Sequence, residues 1–210
     1  MNTESKKIRV LCVDDHPLMR EGIAAVVNAM PDMELVGEAA DGVEAVERFL
    51  ALRPDVVLMD LQMPRMTGVE AITTIRREDP RARIVVLTTY KGDAQARAAL
   101  QAGASGYLLK SMVMAELAEA IRIVHAGRKR IPPEVAVQLA EHTSDDALST
   151  REIEVLRLVA RGSPNKLVAA RLSITEETVK VHMKHIMDKL GANDRTHAVT
   201  IAIERGIIEL

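Results

Sequence analysis

Residues 8–126 alternate short apolar runs with longer segments in which apolar residues recur every three or four positions. The apolar runs are rich in Val, Leu and Ile without clean alternation, which is typical of strands covered on both faces. They are IRVLCV (8–13), ELVGEA (34–39), DVVLM (55–59), RIVVLT (83–88) and GYLL (106–109). Helical periodicity predicts helices near 17–29, 43–52, 67–78, 93–102 and 114–126. Strands and helices in this alternation predict an α/β fold with a doubly wound parallel sheet.

The pattern changes after Gly127. Basic residues, prolines, a short helical segment at 134–141 and a polar stretch follow, and together they predict a linker over 128–147. Beyond the linker the periodicity is helical throughout, with helices near 149–161, 165–171, 175–190 and 195–205. The sequence therefore predicts an α/β domain over 1–127 and a small all-α domain over 148–210.

Composition limits what either domain can bind. The chain has one Phe, two Tyr and no Trp, so stacked aromatic rings cannot be the main mode of nucleic-acid binding. The formal net charge is -2, slightly negative in the first domain and slightly positive in the second. That tilt permits a nucleic-acid role for the second domain without establishing one. Cys12, the sole cysteine, lies in an apolar run, which predicts a buried and reduced thiol.

The sequence indicates neither a secretory signal peptide nor a membrane-spanning segment. The N-terminus is polar and lacks the apolar core of a secretory signal peptide. No uninterrupted apolar run approaches the length that crosses a bilayer. We therefore expect a cytoplasmic protein without a membrane partner.

Three carboxylates are predicted to meet at one edge of the sheet. Asp14 and Asp15 directly follow the first strand, and Asp60 follows the third. In the flavodoxin-like strand order 2-1-3-4-5 these two strands are neighbours, and ligands bind where the order reverses. Carboxylates this close repel one another, whereas Mg²⁺ prefers oxygen ligands and accepts one or two carboxylates beside a phosphate oxygen. The pattern therefore predicts a Mg²⁺ site beside Asp60.

Thr88 and Lys110 stand at the ends of the fourth and fifth strands. A hydroxyl and an ammonium beside a metal-bound carboxylate can receive a phosphoryl group, and the carboxylate can itself be the nucleophile. Each residue alone has an ordinary explanation, since an Asp after a strand is usually a turn residue or helix cap. The joint occurrence at four strand ends favours the functional interpretation. His16 is interpreted as a structural loop residue, because no second histidine lies nearby.

The helix predicted at 175–190 has two distinct faces. Its buried stripe is predicted to be Val179, Met183, Ile186, Met187 and Leu190. The opposite face carries Glu177, Val181, Lys184 and Asp188, with Lys180 on the shoulder. The sequence dictates no acidic partner for either lysine. Two short helices joined by a tight turn fit helix-turn-helix geometry in a major groove, but a merely solvated lysine face is an equally good explanation at this point.

The motifs VDDHPLMREG, VVLMDLQMPRMTG, VVLTTY and AGASGYLLK resemble the receiver domain of bacterial response regulators, over roughly residues 8–126. The resemblance implies that Asp60 is the phospho-acceptor. It implies a Mg²⁺ site formed by Asp14, Asp15, Asp60 and the backbone carbonyl of Gln62, with Asp15 preferred over Asp14 as a direct ligand. It implies that phosphoryl binding and switching involve Thr88, Tyr107 and Lys110.

The stretches TREIEVLRLVARG, NKLVAARL and TVKVHMKHIMDKL resemble the LuxR-type helix-turn-helix, over about residues 147–208. A receiver joined to this module is the arrangement of the NarL/FixJ family. The resemblance implies a groove-facing set, Lys180, Val181 and Lys184, and a phosphate-facing set, Thr178, Asn165 and Lys166. The chain departs from the family pattern at Ser163-Pro164 and at Leu167, which belong to the scaffold helix and its start.

The sequence thus predicts a response-regulator transcription factor. A sensor histidine kinase would phosphorylate Asp60 with Mg²⁺ present; Thr88 and Tyr107 would then move toward the phosphoryl group. The phosphorylated form would bind promoter half-sites in double-stranded DNA as a homodimer, and RNA polymerase is a further candidate partner. The protein would be a phospho-acceptor and self-dephosphorylating switch, not a dedicated enzyme.

Two alternatives stay open. The first is a phosphatase-like enzyme with an aspartyl-phosphate intermediate. A second carboxylate two residues after the nucleophile would favour it, but this chain has Gln62 there. The second is a phosphorylation-independent DNA-binding protein whose receiver serves only dimerisation, and the intact Asp15, Asp60 and Lys110 argue against it.

Overall fold

The computed structural model describes residues 6–89, 93–133, 135–137 and 147–208. The chain divides into two compact units. One holds the described residues through Thr89 together with 96–133, and the other holds the remaining described residues. Among the helices of the described ranges, none is long and apolar enough to cross a membrane.

The first unit is a five-stranded parallel sheet in the order β2-β1-β3-β4-β5, as the sequence predicts. Its strands are β1 (Ile8–Val13), β2 (Met33–Ala39), β3 (Val56–Asp60), β4 (Ile84–Thr88) and β5 (Gly106–Leu109). Its helices are α1 (Pro17–Asn28), α2 (Gly42–Leu52), α3 (Gly68–Glu78) and α5 (Val113–His125), and it holds α4 (Asp93–Ala102) from Ala96 onward. A 3-10 turn, Lys110–Met112, joins β5 to α5.

Every position of β3 and β4 is buried, which explains why these strands show no polar alternation in the sequence. Cys12 is likewise buried and is a free cysteine, as predicted. The register pairs Val13 with Met59, and Asp60 with Leu87. The carboxyl ends of β1, β3 and β4 therefore finish side by side, and the residues that follow them share one edge of the sheet.

The chain leaving α5 returns to the sheet. The Tyr107 N–H donates to the Arg130 carbonyl at 2.8 Å, and the Arg130 N–H donates to the Ser105 carbonyl at 3.1 Å. These bonds form a one-residue parallel bridge beside β5. The Arg130 guanidinium also pairs with Glu116 of α5. The edge of β5 is thus covered at Tyr107 by the segment that follows α5.

The second unit contains the four predicted helices, α6 (Thr150–Ala160), α7 (Asn165–Leu172), α8 (Glu176–Leu190) and α9 (Arg195–Glu204). Ser149 and Glu152 form a capping box at the start of α6. The stripe predicted for α8 is buried at Val179, Met183, Ile186 and Leu190, and half-buried at Met187. Of the helix predicted at 134–141, residues 135–137 are helical and the others lie outside the described residues.

Candidate functional site

Asp14, Asp15 and Asp60 meet in one pit at the carboxyl edge of the sheet. One ligand atom from each of these residues and from His16 lies within 4.8 Å of the others. The side chains of Asp14 and Asp60 are almost wholly buried, and that of Asp15 is 30% exposed. The structure therefore brings together the three carboxylates in which the sequence predicts a cation site.

Lys110 lies across the same pit. Its Nζ is 2.7 Å from Asp14 Oδ2 and 2.7 Å from Asp60 Oδ2, with a well-directed hydrogen bond to Asp60. Burial alone would lower the pKa of Lys110, but the hydrogen bonds and charges of the two carboxylates outweigh it and raise the pKa above its ordinary value. The ammonium therefore stays charged throughout the physiological pH range.

The Asp60 carboxylate is fixed through both oxygens. Oδ2 accepts the hydrogen bond from Lys110, and Oδ1 accepts one from the Gln62 N–H at 3.3 Å. Burial raises the pKa of Asp60 above its ordinary value, although Lys110 opposes the shift. An ionised carboxylate here is held in one orientation and is poorly solvated, which suits a nucleophile more than a solvated surface acid.

Thr88 and Tyr107 are in contact beneath this edge. Thr88 is 1% exposed and Tyr107 is wholly buried. Their side chains share a hydrogen bond, and burial raises the pKa of Tyr107 to about 12. The predicted switch pair is therefore an existing pair of buried, hydrogen-bonded side chains, and Tyr107 stays un-ionised at neutral pH.

His16 is part of the rim of the pit, contrary to its interpretation as a purely structural loop residue. Its Nδ1 lies 2.8 Å from Asp15 Oδ1 and 3.4 Å from Asp14 Oδ1, while the His16 N–H donates to Asp14 Oδ1 at 2.9 Å. The ring is 71% exposed. Its position directly after the two aspartates was the signal, because a turn at that point folds the ring back over them.

The pit suits a divalent cation. Three carboxylates and the Lys110 ammonium leave a local formal charge of about two negative units, which a dication neutralises. Asp14 Oδ2 and Asp15 Oδ1 are buried and accept no well-directed hydrogen bond from the described residues, although Lys110 Nζ lies 2.7 Å from the first and His16 Nδ1 2.8 Å from the second. All the carboxylate donors are oxygen atoms, the ligand type that Mg²⁺ prefers.

In the helical unit, the exposed face of α8 carries the predicted groove-facing residues. Lys180 and Lys184 are exposed, and Val181 is 47% exposed despite being apolar. The expectation that Lys180 has no acidic partner is wrong, because its Nζ lies 3.0 Å from Glu177 Oε2. The two side chains are one helical turn apart, a spacing at which opposite charges meet. Both are exposed, so the pair exchanges readily with other partners.

The predicted phosphate-facing residues differ in exposure and in their hydrogen bonds within the helical unit. Lys166 is exposed. Asn165 Oδ1 accepts a hydrogen bond from Arg195 at 3.1 Å, and Arg195 also donates to the Ser163 carbonyl at 2.6 Å. The Thr178 hydroxyl lies 2.8 Å from that of Thr175, the helix cap. Asn165 and Thr178 therefore also have local structural roles.

Comparison with known proteins bears directly on these two units. Residues 10–122 match the family model of the response regulator receiver domain. Residues 146–202 match that of the bacterial regulatory proteins of the luxR family. The chain belongs to the NarL/FixJ family of response regulators.

Relatives of this response regulator match it along nearly the whole length. The transcriptional regulatory protein LiaR of Bacillus subtilis (strain 168) is 42% identical over 203 residues, covering 93% of this chain and 96% of LiaR. The response regulator protein VraR of Staphylococcus aureus is 39% identical over 207 residues, or 96% and 99% of the two chains. RcsB of Salmonella enterica serovar Typhimurium, bound to a promoter in the presence of the phosphomimetic BeF₃⁻, is 29% identical with a TM-score of 0.71. That match covers 93% of this chain and 98% of the RcsB chain.

The receiver of this response regulator also has an apolar cleft beside the acidic pit. The cleft has a volume of about 400 Å³ and borders Thr89, Lys110 and His16. Its rim includes Leu18, which is 81% exposed, and Met114, which is 75% exposed. Large apolar side chains at this exposure are typical of surfaces that contact other proteins.

Proposed function

We propose that this response regulator is a phosphorylation-controlled transcription factor whose phospho-acceptor is Asp60. A sensor histidine kinase donates the phosphoryl group, Mg²⁺ is required, and the phosphorylated form binds promoter DNA as a homodimer in the cytoplasm. The observation that carries the proposal is the placement of Asp60, which is buried beside Asp14 and bonded to Lys110. The protein then acts as a switch and not as a dedicated enzyme.

The chemistry follows from the groups in the pit. An Asp60 carboxylate oxygen attacks phosphorus, the bond between phosphorus and the kinase histidine breaks, and its electron pair stays on that histidine. Lys110 then turns from the carboxylate to an oxygen of the new phosphoryl group. Asp14, Asp15, Asp60 and the Gln62 carbonyl would hold Mg²⁺, which supplies neutralisation of the phosphoryl charge.

Switching would begin at Thr88, because its hydroxyl lies at the end of β4, in the strand next to Asp60. A phosphoryl oxygen accepts a hydrogen bond from that hydroxyl, which draws Thr88 toward the phosphoryl group. Tyr107 moves with it, because the Thr88 and Tyr107 side chains are hydrogen-bonded. This changes the surface of β4, β5 and the adjacent helices. A shift from 1:99 to 99:1 needs about 5.5 kcal/mol of differential stabilisation, so these few bonds support a partial shift.

The kinase would dock on the apolar cleft beside the pit. Leu18 and Met114 supply an exposed apolar surface there, and Lys110 belongs both to the cleft and to the phosphoryl site. A kinase seated on this cleft would border the pit that holds Asp60, because Lys110 belongs to both. The cleft thus accounts for recognition and the pit for chemistry.

DNA binding would rest on α8. Its exposed face presents Lys180, Val181 and Lys184 to the major groove, while Lys166, Asn165 and Thr178 approach phosphates. One such helix covers only a half-site, so a homodimer on paired half-sites is the expected active species. RNA polymerase is then a further partner at the promoter.

The decisive experiment is phosphorylation by acetyl phosphate or phosphoramidate, followed by intact mass. We expect a single Mg²⁺-dependent phosphoryl adduct on the wild type and on Asp79→Asn, a control for a carboxylate elsewhere in the unit. We expect no adduct on Asp60→Asn. An adduct on Asp60→Asn, or equal labelling in the presence of a chelator, contradicts the proposal.

A further inference from the structure

The loop between β3 and α3, residues 61–67, is held tightly at both ends. The Gly68 N–H donates to the Leu61 carbonyl at 3.0 Å, and a Cβ on Gly68 would lie 2.0 Å from the Asp60 carbonyl oxygen. The Gly42 N–H donates to the Met66 carbonyl at 3.2 Å. Glycine is needed at both positions because the backbones approach too closely for a side chain. The loop therefore packs between Asp60 and the start of α2.

Arg65, within this loop, has a backbone conformation that residues with a side chain rarely adopt. Its φ is +66°, in the left-handed region that non-glycine residues rarely adopt. A glycine would fit there without steric cost. An arginine in this conformation needs a compensating interaction, so the contacts of its side chain matter here.

The Arg65 guanidinium pairs with Oδ2 of Asp41. Asp41 is 1% exposed, and its Oδ1 caps α2 by accepting hydrogen bonds from the Val43 and Glu44 N–H groups. Oδ2 accepts no well-directed hydrogen bond from the described residues. A buried carboxylate needs charge compensation, and Arg65 is the cation that supplies it.

The same loop carries Gln62, whose N–H is bonded to Asp60 and whose carbonyl is a proposed ligand of the cation. The loop contacts to α2 lie at Arg65 and Met66. A shift of the loop there would move the Gln62 carbonyl relative to Asp60.

We propose that Asp41 and Arg65 form a latch, a positioning pair that holds the 61–67 loop so that the Gln62 carbonyl faces the cation beside Asp60. The latch sets the affinity of the pit for the cation. Because phosphorylation requires the cation, the latch also sets the rate of Asp60 phosphorylation. This inference rests on the proposed function of Asp60. Neither residue touches the phosphoryl group; both act through the loop backbone.

The chain offers variants that separate the latch from helix capping and from backbone strain. Asp41→Asn keeps the cap, since Asn caps helices as well as Asp, but removes the charge. Arg65→Gln removes the cation, and Arg65→Lys restores it. Arg65→Gly removes the cation and also relieves the strained backbone, so it separates the charge from the conformation. Arg77→Gln, at an exposed position in α3, is the matched control.

The measurement is Mn²⁺ binding to the unphosphorylated full-length protein, followed by electron paramagnetic resonance, with Mn²⁺ in place of Mg²⁺ because both prefer oxygen ligands. We expect Asp41→Asn and Arg65→Gln each to weaken Mn²⁺ binding about tenfold. This is the lower end of the loss in metal affinity that follows when residues orienting the metal ligands are mutated. The double variant should be no weaker than either single one, because both remove the same interaction. Arg65→Lys should recover part of the loss, and Arg77→Gln should bind as the wild type.

Arg65→Gly gives the sharpest outcome. A latch predicts weaker Mn²⁺ binding even though the backbone strain is relieved, whereas a purely structural turn predicts unchanged binding. Unchanged binding in Arg65→Gly and Arg65→Gln, or additive losses in the double variant, overturns the latch. If the wild type and Asp60→Asn bind Mn²⁺ equally, the cation site itself is wrong and the latch falls with it; Asp60-dependent binding without an effect of Arg65 overturns the latch alone.

Discussion

Lys110 Nζ lies 2.7 Å from Asp60 Oδ2 in the unphosphorylated protein. The cation proposed to bind the phosphoryl group is therefore already paired with the phospho-acceptor. It also lies 2.7 Å from Asp14 Oδ2, so one ammonium compensates part of the charge of two buried carboxylates. Under the proposed function, Lys110 would compete with a metal ion for this negative charge before phosphorylation and would turn to the phosphoryl group afterwards.

Lys110→Ala should separate metal binding from signalling. We expect Mn²⁺ to bind at least as tightly as in the wild type, because a competing cation is gone. Phosphorylation-dependent DNA binding should be lost, because the phosphoryl group has no ammonium partner. DNA-binding titrations with and without acetyl phosphate measure this, with the exposed Lys129→Ala as control. Equal phosphorylation-dependent binding by Lys110→Ala and the wild type refutes the role.

Asp60→Asn should stabilise the receiver at neutral pH when no divalent cation is present. Burial raises the pKa of Asp60, so the folded state binds the proton more tightly than the unfolded state. The ionised carboxylate therefore costs stability above its folded pKa, and this cost disappears as the pH falls through that value. Thermal unfolding should give a higher melting temperature for Asp60→Asn at neutral pH, with the difference shrinking in acid. A lower melting temperature at neutral pH would show that the Lys110 pairing dominates.

Lys189→Met should destabilise the helical unit. Lys189 Nζ lies 2.7 Å from Glu152 Oε2, and the Glu152 residue is 4% exposed. Burial alone would raise the pKa of Glu152, but bonds from Lys189 and Ser149 outweigh it and lower the pKa. We expect a loss of about 1–3 kcal/mol in denaturant unfolding, the usual cost of leaving a buried group unpaired.

The pH profile distinguishes the Lys189 pair from simple packing. Because the folded pKa of Glu152 is depressed, its contribution is present above the unfolded value, about 4.3, and is lost as the pH falls through the folded pKa. The destabilisation by Lys189→Met should therefore be largest near neutrality and smaller in acid. Lys166→Met, at an exposed position in the same unit, should have no such profile. A loss that is constant with pH points to packing alone.

Lys184→Ala should show whether α8 reads bases or only phosphates. If Lys184 contacts a guanine edge, the change costs about 1–3 kcal/mol and relaxes preference at one base position. If it contacts only phosphate, all sequences weaken alike and the slope of log K against log salt shrinks by about 0.9. Salt titrations on operator and unrelated DNA separate these outcomes.

Val181→Asp tests the same face by repulsion. Val181 is 47% exposed, so a carboxylate there adds negative charge facing the groove without entering the core. We expect specific DNA binding to be abolished, with folding and Asp60 phosphorylation unchanged. If Val181→Asp and Lys184→Ala both bind operator like the wild type, this helix does not enter the groove.

The strands and the acidic pit could be predicted because each depends on local sequence and on one general rule. Apolar runs indicate the strands, and a parallel sheet brings the carboxyl ends of its strands to one edge. Asp15, Asp60 and Lys110 could therefore be predicted to share one site. The predicted boundaries at 127 and 148 stay predictions. The roles of individual site residues also stay predictions, although their proximity is now evident.

The Asp41–Arg65 pair could not be predicted, because it depends on a left-handed backbone at Arg65 that no local pattern signals. The position of His16 depends on a turn that folds the ring over its own neighbours. The pairing of Lys180 with Glu177 was accessible from helical spacing alone, but an i,i+3 pair of exposed charges is weak, and side-chain rotation decides whether it forms.

The bridge between Arg130 and β5 bears on how the receiver can be isolated. A fragment that ends at residue 127 loses the backbone partner of the Tyr107 N–H and the Ser105 carbonyl. Unpaired groups on an edge strand are a template for pairing with another chain, so such a fragment should self-associate. A fragment that ends at residue 133 retains the bridge and should stay monodisperse at the same concentration. The segment 128–133, which pairs with β5 through Arg130, would thus protect the edge of the sheet from aggregation.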